Sequence, residues 1–335
     1  MKRKSILLLL IWLLVLTGCR KEEEKQEELP VKKPPVEQEE EPVAQQNILR
    51  VEISKGGLST AQLTDAVKTL PELLRNALAT AGVNVETVKV TVGASPAATA
   101  ETLAKGNVDL AFLPAEEYLL YGGEARALLA DGEQADGAGV GSLICAAPTE
   151  YGGQLKQRAE KGPTWNELAR ARWGVLEEAS LAGYRGFDLW LADNYEGNRL
   201  ADLPKVTVYE SYEAVLRGAA AEEIDAFVIR DDAREDFADA WTQDLDRADE
   251  GGLRGFGRTE PIWTELPVLA ETDRLYTTVA AVSSGYAADV EKLQAALSAL
   301  AEESPEQMLV LGARQFAPVQ DDQLDPQRRL LTLES

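Results

Sequence analysis

From residue 48 onward, short apolar runs alternate with stretches of helical periodicity. Residues 48–53 alternate apolar and polar positions as a strand does, and leucines at helical spacing follow between residues 63 and 78. A second alternating run covers residues 85–92, a helical stretch residues 97–105, and an apolar run typical of a buried strand residues 108–113. This order predicts a doubly wound, mainly parallel sheet with helices on both faces and ligand contacts at the carboxyl ends of its strands.

A second set of elements begins after a glycine-containing stretch at residues 139–141. The later predicted strands cover residues 142–147, 173–176, 205–209, 224–229, 266–270 and 276–282. The later predicted helices cover residues 165–171, 183–194, 212–221, 288–301 and 305–312. Both sets contain a similar helix-to-strand turn, with Asp109 in the first and Asp225 in the second, although such turns commonly carry Gly or Asp. Two sets in one chain predict two α/β lobes.

The start of the chain has the pattern of an export signal. Cations at residues 2–4 precede the apolar residues 6–16, a run too short to span a bilayer comfortably. The following Leu-Thr-Gly-Cys resembles the lipobox of bacterial lipoproteins. We therefore expect residues 1–18 to be a signal peptide and Cys19 to hold the protein by lipid at the extracytoplasmic face of a bacterial cell membrane. An ordinary signal peptide or short anchor with an incidental cysteine is the alternative.

Residues 19–47 differ sharply in composition from the remainder of the chain. They are rich in Glu, Lys and Pro and contain almost nothing to bury. Such a segment is typical of a disordered, extended tether. We expect it to separate the lipidated cysteine from the folded lobes.

Composition excludes several classes of function. The 335 residues include 34 Lys and Arg against 57 Asp and Glu, for a formal net charge of −23. This acidic balance argues against nucleic-acid binding, which depends on clustered cations. The absence of histidine removes the usual catalytic triads, most zinc sites and the common general base. We expect no cofactor and no metal, and Cys145, in an apolar run, to be a buried thiol.

Five segments together resemble the phosphate-, phosphite- and phosphonate-binding lipoproteins of ABC importers. They are GNVDLAFL at residues 106–113, EASLAGY at 178–184, ESYEA at 210–214, IDAFV at 224–228 and TEPIWTELPV at 259–268. The resemblance covers about residues 48–318 and implies the two-lobed clamshell of type II periplasmic binding proteins. It implies that residues 48–142 and 266–335 form lobe 1 and residues 143–265 form lobe 2.

The resemblance also implies a ligand site between the lobes. In this family a turn at the start of a lobe 2 helix grips the phosphoryl group of the ligand, since N–H groups, hydroxyl donors and the positive helix end favour an oxyanion. The equivalent positions here are Ser180, Leu181, Ala182 and Gly183. Two hydroxyl donors of the family pattern are absent, which weakens the case for phosphonate itself. An N-cap role alone is the alternative for Ser180.

Further polar residues of lobe 2 are implied by the same resemblance. Tyr212 stands where the family usually has a histidine, and its hydroxyl can still donate a hydrogen bond. The carboxylates that face a cationic ligand group in the family correspond to Asp232, with Asp231 beside it, and to Glu265. A solvated turn is the alternative for the Asp pair.

Three residues of lobe 1 complete the predicted site. Gly57 follows the first strand, where ligand loops lie in such folds. Leu113 stands at a position where well-known members have a tyrosine, and Tyr118 follows the third strand. A plain turn for Gly57 and ordinary packing for Tyr118 are the alternatives.

The resemblance implies a solute receptor and not an enzyme. A small polar solute, such as a phosphonate, phosphite or phosphate, would bridge the lobes of a monomer, and an ABC permease would recognise the closed form. One alternative is a sensory or accessory lipoprotein that uses the same clamshell to signal to a membrane partner. Another is a hydrolase that relies on carboxylate pairs such as Glu177 and Glu178.

Overall fold

The computed structural model describes residues 47–55, 57–133, 137–248 and 251–334. The predicted signal peptide, Cys19 and almost the whole predicted tether lie outside these ranges. Within them, no helix combines the length and the apolar character needed to cross a membrane.

Strands and helices alternate along most of the described chain. The strands are β1 (Ile48–Ile53), β2 (Thr87–Val92), β3 (Leu110–Pro114), β4 (Arg126–Glu133), β5 (Gly137–Ala138), β6 (Ser142–Ala146), β7 (Trp173–Val175), β8 (Val206–Val208), β9 (Ala226–Arg230), β10 (Val268–Glu271), β11 (Thr278–Val282) and β12 (Phe316–Pro318). The helices are α1 (Thr60–Thr80), α2 (Pro96–Ala104), α3 (Ala115–Tyr121), α4 (Glu150–Arg158), α5 (Trp165–Leu168), α6 (Gly186–Asn194), α7 (Tyr212–Ala220), α8 (Ala233–Trp241), α9 (Ile262–Glu265), α10 (Val290–Glu303), α11 (Pro305–Val310) and α12 (Asp325–Glu334). A π-helical turn, Leu181–Arg185, leads into α6.

The strands form two sheets, and five neighbouring strands in each follow the same sequence of directions. One has the order β12-β4-β11-β3-β1-β2, with β5 paired to β4, and the other has the order β10-β6-β9-β7-β8. In the first sheet β11 runs antiparallel between β3 and β4, and in the second β6 runs antiparallel between β9 and β10. Therefore β2, β1, β3 and β4 share one direction, as do β8, β7, β9 and β10. The predicted α/β fold with two doubly wound, mainly parallel sheets is confirmed.

Helices cover both faces of each sheet. In lobe 1, α1 and α10 pack on one face through Leu70 and Leu297, and α2 packs on the other through Leu103. In lobe 2, Trp241 of α8 lies on one face and Phe187 of α6 on the other. Cys145 on β6 is buried in the lobe 2 core, as predicted, and burial raises the pKa of its thiol to about 12.

Two adjacent segments connect the lobes. Val140 of the first and Leu275 of the second form an antiparallel bridge with N–H···O distances of 2.8 and 3.0 Å. Arg274 reinforces it, since one guanidinium nitrogen donates to the Gly139 carbonyl at 2.6 Å and the other to Asp231 at 2.8 Å. Gly139 has a φ of +80°, and a Cβ there would lie 2.8 Å from the Leu275 carbonyl oxygen. Glycine is required because both segments approach closely at this point.

The chain returns to the first sheet later than the sequence indicates. Strand β10 pairs antiparallel with β6 in the second sheet, with Val268 opposite Cys145. The sequence predicts the return of the chain to lobe 1 at residue 266, which is before this strand. The second crossing therefore lies after Glu271, and the first strand to re-enter sheet one is β11.

The similar turns noted in the sequence make the same bonds in both lobes. The main-chain N and Nε of Arg50 donate to Asp109 Oδ2 at 2.8 and 3.0 Å, and Nη2 donates to Oδ1 at 2.6 Å. In lobe 2 the same atoms of Arg172 donate to Asp225 at 3.0, 3.0 and 2.7 Å. We call these the arginine–aspartate clasps. Each joins the amino ends of two parallel strands, away from the carboxyl ends where ligand loops lie.

Candidate functional site

Serine side chains cap four of the helical segments that follow the carboxyl ends of parallel strands, two in each lobe. Each hydroxyl oxygen accepts a hydrogen bond from the main-chain N–H three residues further on, which is the usual N-cap geometry. The four residues are Ser59 before α1, Ser95 before α2, Ser180 before the π-helical turn and Ser211 before α7. Helix N-termini of both lobes therefore follow the strand ends at which α/β proteins bind ligands.

The turn at residues 180–183, predicted to bind an oxyanion of the ligand, is well packed. Ser180 Oγ accepts from the Gly183 N–H at 3.0 Å, while the Ser180 carbonyl accepts from the N–H groups of Tyr184 and Arg185. Ala182 and Gly183 are buried, and a Cβ on Gly183 would lie only 2.6 Å from the Leu176 side chain. The N-cap role considered for Ser180 is therefore present, and a ligand role for this turn stays a prediction.

Tyr212 lies beside this turn. It is the first residue of α7, and its side chain lies beside the Ser180 side chain. Burial raises the pKa of Tyr212, and the Ser180 hydroxyl and the nearby Arg230 oppose that rise. The Arg230 guanidinium stands 5.8 Å from the centre of the ring. The structure thus brings together two residues predicted for the site from separate segments of the chain.

The predicted Asp pair is bonded to arginines of the same chain. Asp231 accepts from Arg274 at 2.8 Å and from the Gly141 N–H at 3.3 Å, at the crossing between the lobes. Burial raises the pKa of Asp231, and the charge of Arg274 opposes that rise. Asp232 pairs with Arg230. Both acids have partners within the chain, and their contact with a ligand stays a prediction.

Glu265 is held by two side chains of lobe 2. Its two oxygens accept from Nε and Nη2 of Arg258 at 2.9 and 3.0 Å. One oxygen also accepts from the indole N–H of Trp241 at 2.9 Å. This carboxylate is satisfied next to the lobe 2 core, so the ligand role implied by the resemblance would require it to leave these partners.

The predicted lobe 1 residues have different environments. Leu113 on β3 is 0% exposed and belongs to the core between β3 and α2. Tyr118 is 7% exposed, and its hydroxyl donates to the Ala125 carbonyl at 3.0 Å and accepts from the Ala127 N–H at 2.9 Å. Gly57 is exposed after β1. The first two contribute to lobe 1 packing in this conformation, and a ligand role for all three stays a prediction.

Direct contacts between the lobes involve residues that sequence reasoning missed. Glu116, in the first turn of α3 just after β3, accepts from Arg185 of the π-helical turn at 2.5 Å. Gln327 of α12 donates to the same carboxylate at 3.3 Å and accepts from the Tyr276 N–H at 3.0 Å. These residues are far apart in the chain, and no local pattern distinguishes them from ordinary surface charges.

A second missed group lies in lobe 1, on the face of β1 that α2 covers. Glu52 and Thr99 are buried, and each has a side-chain oxygen without a hydrogen-bond partner among the described residues. The signal available in the sequence was a single carboxylate, Glu52, within the otherwise apolar second half of β1.

In the described ranges, no cluster of three or more His, Cys, Asp or Glu is arranged to hold a metal ion.

A family model described as "ABC transporter, phosphonate, periplasmic substrate-binding protein" matches residues 58–324. The chain belongs to this family. It is therefore a substrate-binding protein of the ABC transporter type and not an enzyme. No curated protein matches the chain.

Solved structures match the chain at low sequence identity. A binding protein of an ABC phosphonate transporter from Pseudomonas aeruginosa is 15% identical, with a TM-score of 0.36 over 86% of this chain and 87% of that one. PhnD1 from Prochlorococcus marinus, in complex with methylphosphonate, is 12% identical, with a TM-score of 0.36 over 85% and 97%. Transferrin 1 from Manduca sexta is 9% identical, with a TM-score of 0.50 over 87% of this chain and 47% of that one.

Proposed function

We propose that this family member is a monomeric, lipid-anchored receptor that binds a small phosphonate-like solute between its lobes and delivers it to the permease of an ABC importer. The observation that carries the proposal is the capped turn at the carboxyl end of sheet two, where Ser180 Oγ accepts from the Gly183 N–H at 3.0 Å and Tyr212 lies alongside. A hydroxyl pair beside a capped helix start supplies donors for an oxyanion. Family membership supports the class of solute.

Closure of the lobes on the solute supplies the signal that a permease would recognise. The pair Arg185–Glu116 already joins the lobes through opposite charges. Contacts of this kind make a closed state accessible. A bridging solute that binds the closed state more tightly than the open state would increase the population of the closed state.

The decisive experiment is binding of alkylphosphonates, aminoalkylphosphonates, phosphite and phosphate to the purified protein, measured by calorimetry and thermal unfolding. We expect at least one compound to raise the melting temperature and to reduce the radius of gyration in X-ray scattering. No shift with any of these compounds would refute the phosphonate-like solute.

A tyrosine variant tests the placement of the site. Tyr212→Phe removes one hydroxyl donor, and we expect affinity to fall about tenfold, the size of a hydrogen bond to a charged group. Tyr151→Phe is the matched control, because the Tyr151 hydroxyl donates to the Glu167 carbonyl elsewhere in lobe 2. Equal affinities of the two variants would place the solute elsewhere.

The anchor is tested separately in cells. We propose that Cys19, at the end of the predicted signal peptide, carries the lipid. Labelling with an alkyne fatty acid should mark the wild-type chain and not Cys19→Ala, which should also leave the membrane fraction. An unlabelled wild-type chain would contradict the anchor without affecting the solute site.

A further inference from the structure

Lobe 1 contains a buried carboxylate that is only partly satisfied. Glu52 on β1 is 8% exposed, and its Oε1 has no hydrogen-bond partner among the described residues. Its Oε2 accepts only a long contact, 3.4 Å from Thr91 Oγ1 on β2. A buried ionised group without a partner is costly, so folded proteins normally pair such groups. An unpaired one therefore requires an explanation.

A second orphan oxygen lies near this carboxylate, and a third belongs to the next residue on the same face of the chain. Thr99 of α2 is 0% exposed, and its Oγ1 also lacks a partner. A Cβ built on Gly93 would lie 2.9 Å from Glu52 Oε1 and 1.8 Å from Thr99 Oγ1, so both oxygens approach one point beside this glycine. Ser54 follows two residues after Glu52, on the same face of the extended chain, and its buried Oγ has no partner.

The position of this group in the sheet matters. Ser54 and Gly93 directly follow the carboxyl ends of the parallel strands β1 and β2, the edge at which α/β sheets bind ligands. Arg50, the cation two residues before Glu52 on β1, is bound to Asp109 in the clasp and does not neutralise Glu52. The orphan oxygens therefore lie at the edge of lobe 1 where ligands approach.

The three lobe 2 carboxylates predicted to face a cationic ligand group are already paired. Each of those predicted to face a cationic ligand group accepts from an arginine: Asp231 from Arg274, Asp232 from Arg230 and Glu265 from Arg258. Among the described residues, Glu52 is the one carboxylate with a buried oxygen that has no partner. If the solute carries a positive charge, lobe 1 offers the better partner for it.

We propose that Glu52, Thr99 and Ser54 form a lobe 1 subsite for the protonated amine of a zwitterionic solute. A primary ammonium has three donors, which match the three orphan oxygens in number, and a carboxylate partner strengthens the bond. The anionic end of the same solute would meet the turn at Ser180. This inference depends on the proposed function, because it assumes a solute between the lobes.

The test compares two ligands that differ only in the amine, an aminoalkylphosphonate and the alkylphosphonate of equal chain length. For the wild-type chain we expect the amine to increase affinity about tenfold or more. Glu52→Gln keeps the shape but removes the charge, so the preference should fall to about threefold or less while the alkylphosphonate binds as before. Glu86→Gln, which changes an exposed acid of lobe 1, should keep the wild-type preference.

Each other outcome has a definite meaning. If both ligands bind and Glu52→Gln keeps the full preference, the subsite is refuted and the proposed function stands. If neither ligand binds the wild-type chain, the phosphonate receptor and its subsite both fail. If sodium or potassium ions alone stabilise the wild-type chain but not Glu52→Gln, the site holds a free cation and the assignment to the amine is overturned.

Stability of the ligand-free chain provides a second readout. Because Glu52→Gln removes a buried charge without a partner, its melting temperature should equal or exceed that of the wild type. A fall of several degrees would identify Glu52 as a structural residue and overturn the proposal. Thr99→Val should reduce the preference for the amine, since it removes one acceptor at nearly constant volume.

Discussion

Lobe 1 and lobe 2 share one arrangement at the amino ends of their strands and differ at the carboxyl ends. In both, an arginine clasps an aspartate through the same three bonds. At the carboxyl ends, the predicted acids of lobe 2 are paired with arginines, whereas Glu52 of lobe 1 keeps an oxygen without a partner. We infer that the clasps at the amino ends of the strands belong to the scaffold, while the residues at the carboxyl ends determine what each lobe binds.

The largest expected effect comes from breaking a clasp. Asp225→Asn and Asp109→Asn should each reduce the free energy of unfolding by about 2–3 kcal/mol, because main-chain and guanidinium donors lose a charged acceptor. Urea unfolding measures both values. Losses of similar size in the two lobes would support a shared scaffold, and a negligible loss in one lobe would break the comparison.

The clasp of lobe 2 also predicts a pH dependence. Burial alone would raise the pKa of Asp225, but hydrogen bonds from Arg172 and Thr149 outweigh it, and the pKa lies below the ordinary value of 3.8. A lowered folded-state pKa means that the stabilisation is present above 3.8 and is lost as the pH falls through the folded-state value. The difference between wild type and Asp225→Asn should therefore shrink below about pH 4.

An intermediate effect is expected where the lobes meet. Arg185→Met removes the pair with Glu116, whose side chains are 15% and 33% exposed, and should cost about 1 kcal/mol. It should also increase the radius of gyration of the ligand-free protein in X-ray scattering. Arg328→Met is the control, because Arg328 pairs with Asp321 and Asp325 near the start of α12. An equal radius in both variants would argue against a role of Arg185 in holding the lobes together.

Effects of similar or smaller size are expected at the second residue after the helix in each similar turn. Gly106 of lobe 1 has a φ of +69°, whereas the equivalent residue of lobe 2, Glu222, has a φ of +58°. A side chain in this left-handed region is strained. We expect Gly106→Ala to destabilise by about 1 kcal/mol and Glu222→Gly to stabilise by about 0.5 kcal/mol. Thermal unfolding would detect the opposite signs, and equal signs would show that the two turns are not equivalent.

Elements with strong periodicity were predicted well, and weakly patterned ones were missed. The helices α2 and α7 and the buried strands β3 and β9 lie within a few residues of their predicted positions. Helix α4, with adjacent glycines Gly152 and Gly153, has low helix propensity. It forms against β6, where a Cβ on Gly152 would lie 2.1 Å from the Ala147 carbonyl oxygen. Tertiary packing thus overrides local preference there.

The residues of the candidate site likewise fall into two groups, those predicted from local segments and those that only the tertiary structure identifies. The Ser180 turn and Tyr212 were predicted from local segments, and the fold places the Tyr212 side chain beside that turn. The partners of the predicted acids were not foreseeable, because Arg258 and Arg274 resemble any other surface cation in the sequence. The convergence of Glu52 and Thr99 beside Gly93 likewise depends on how α2 packs over β1.

By itself the sequence determined the α/β class, the two lobes, the absence of histidine chemistry and the family, because these depend on periodicity, composition and local motifs. Only the tertiary structure decided that β10 belongs to sheet two and which carboxylates are paired. Strand pairing and burial of charge are properties of residues distant in the chain, and their free energies depend on the neighbours that the fold supplies.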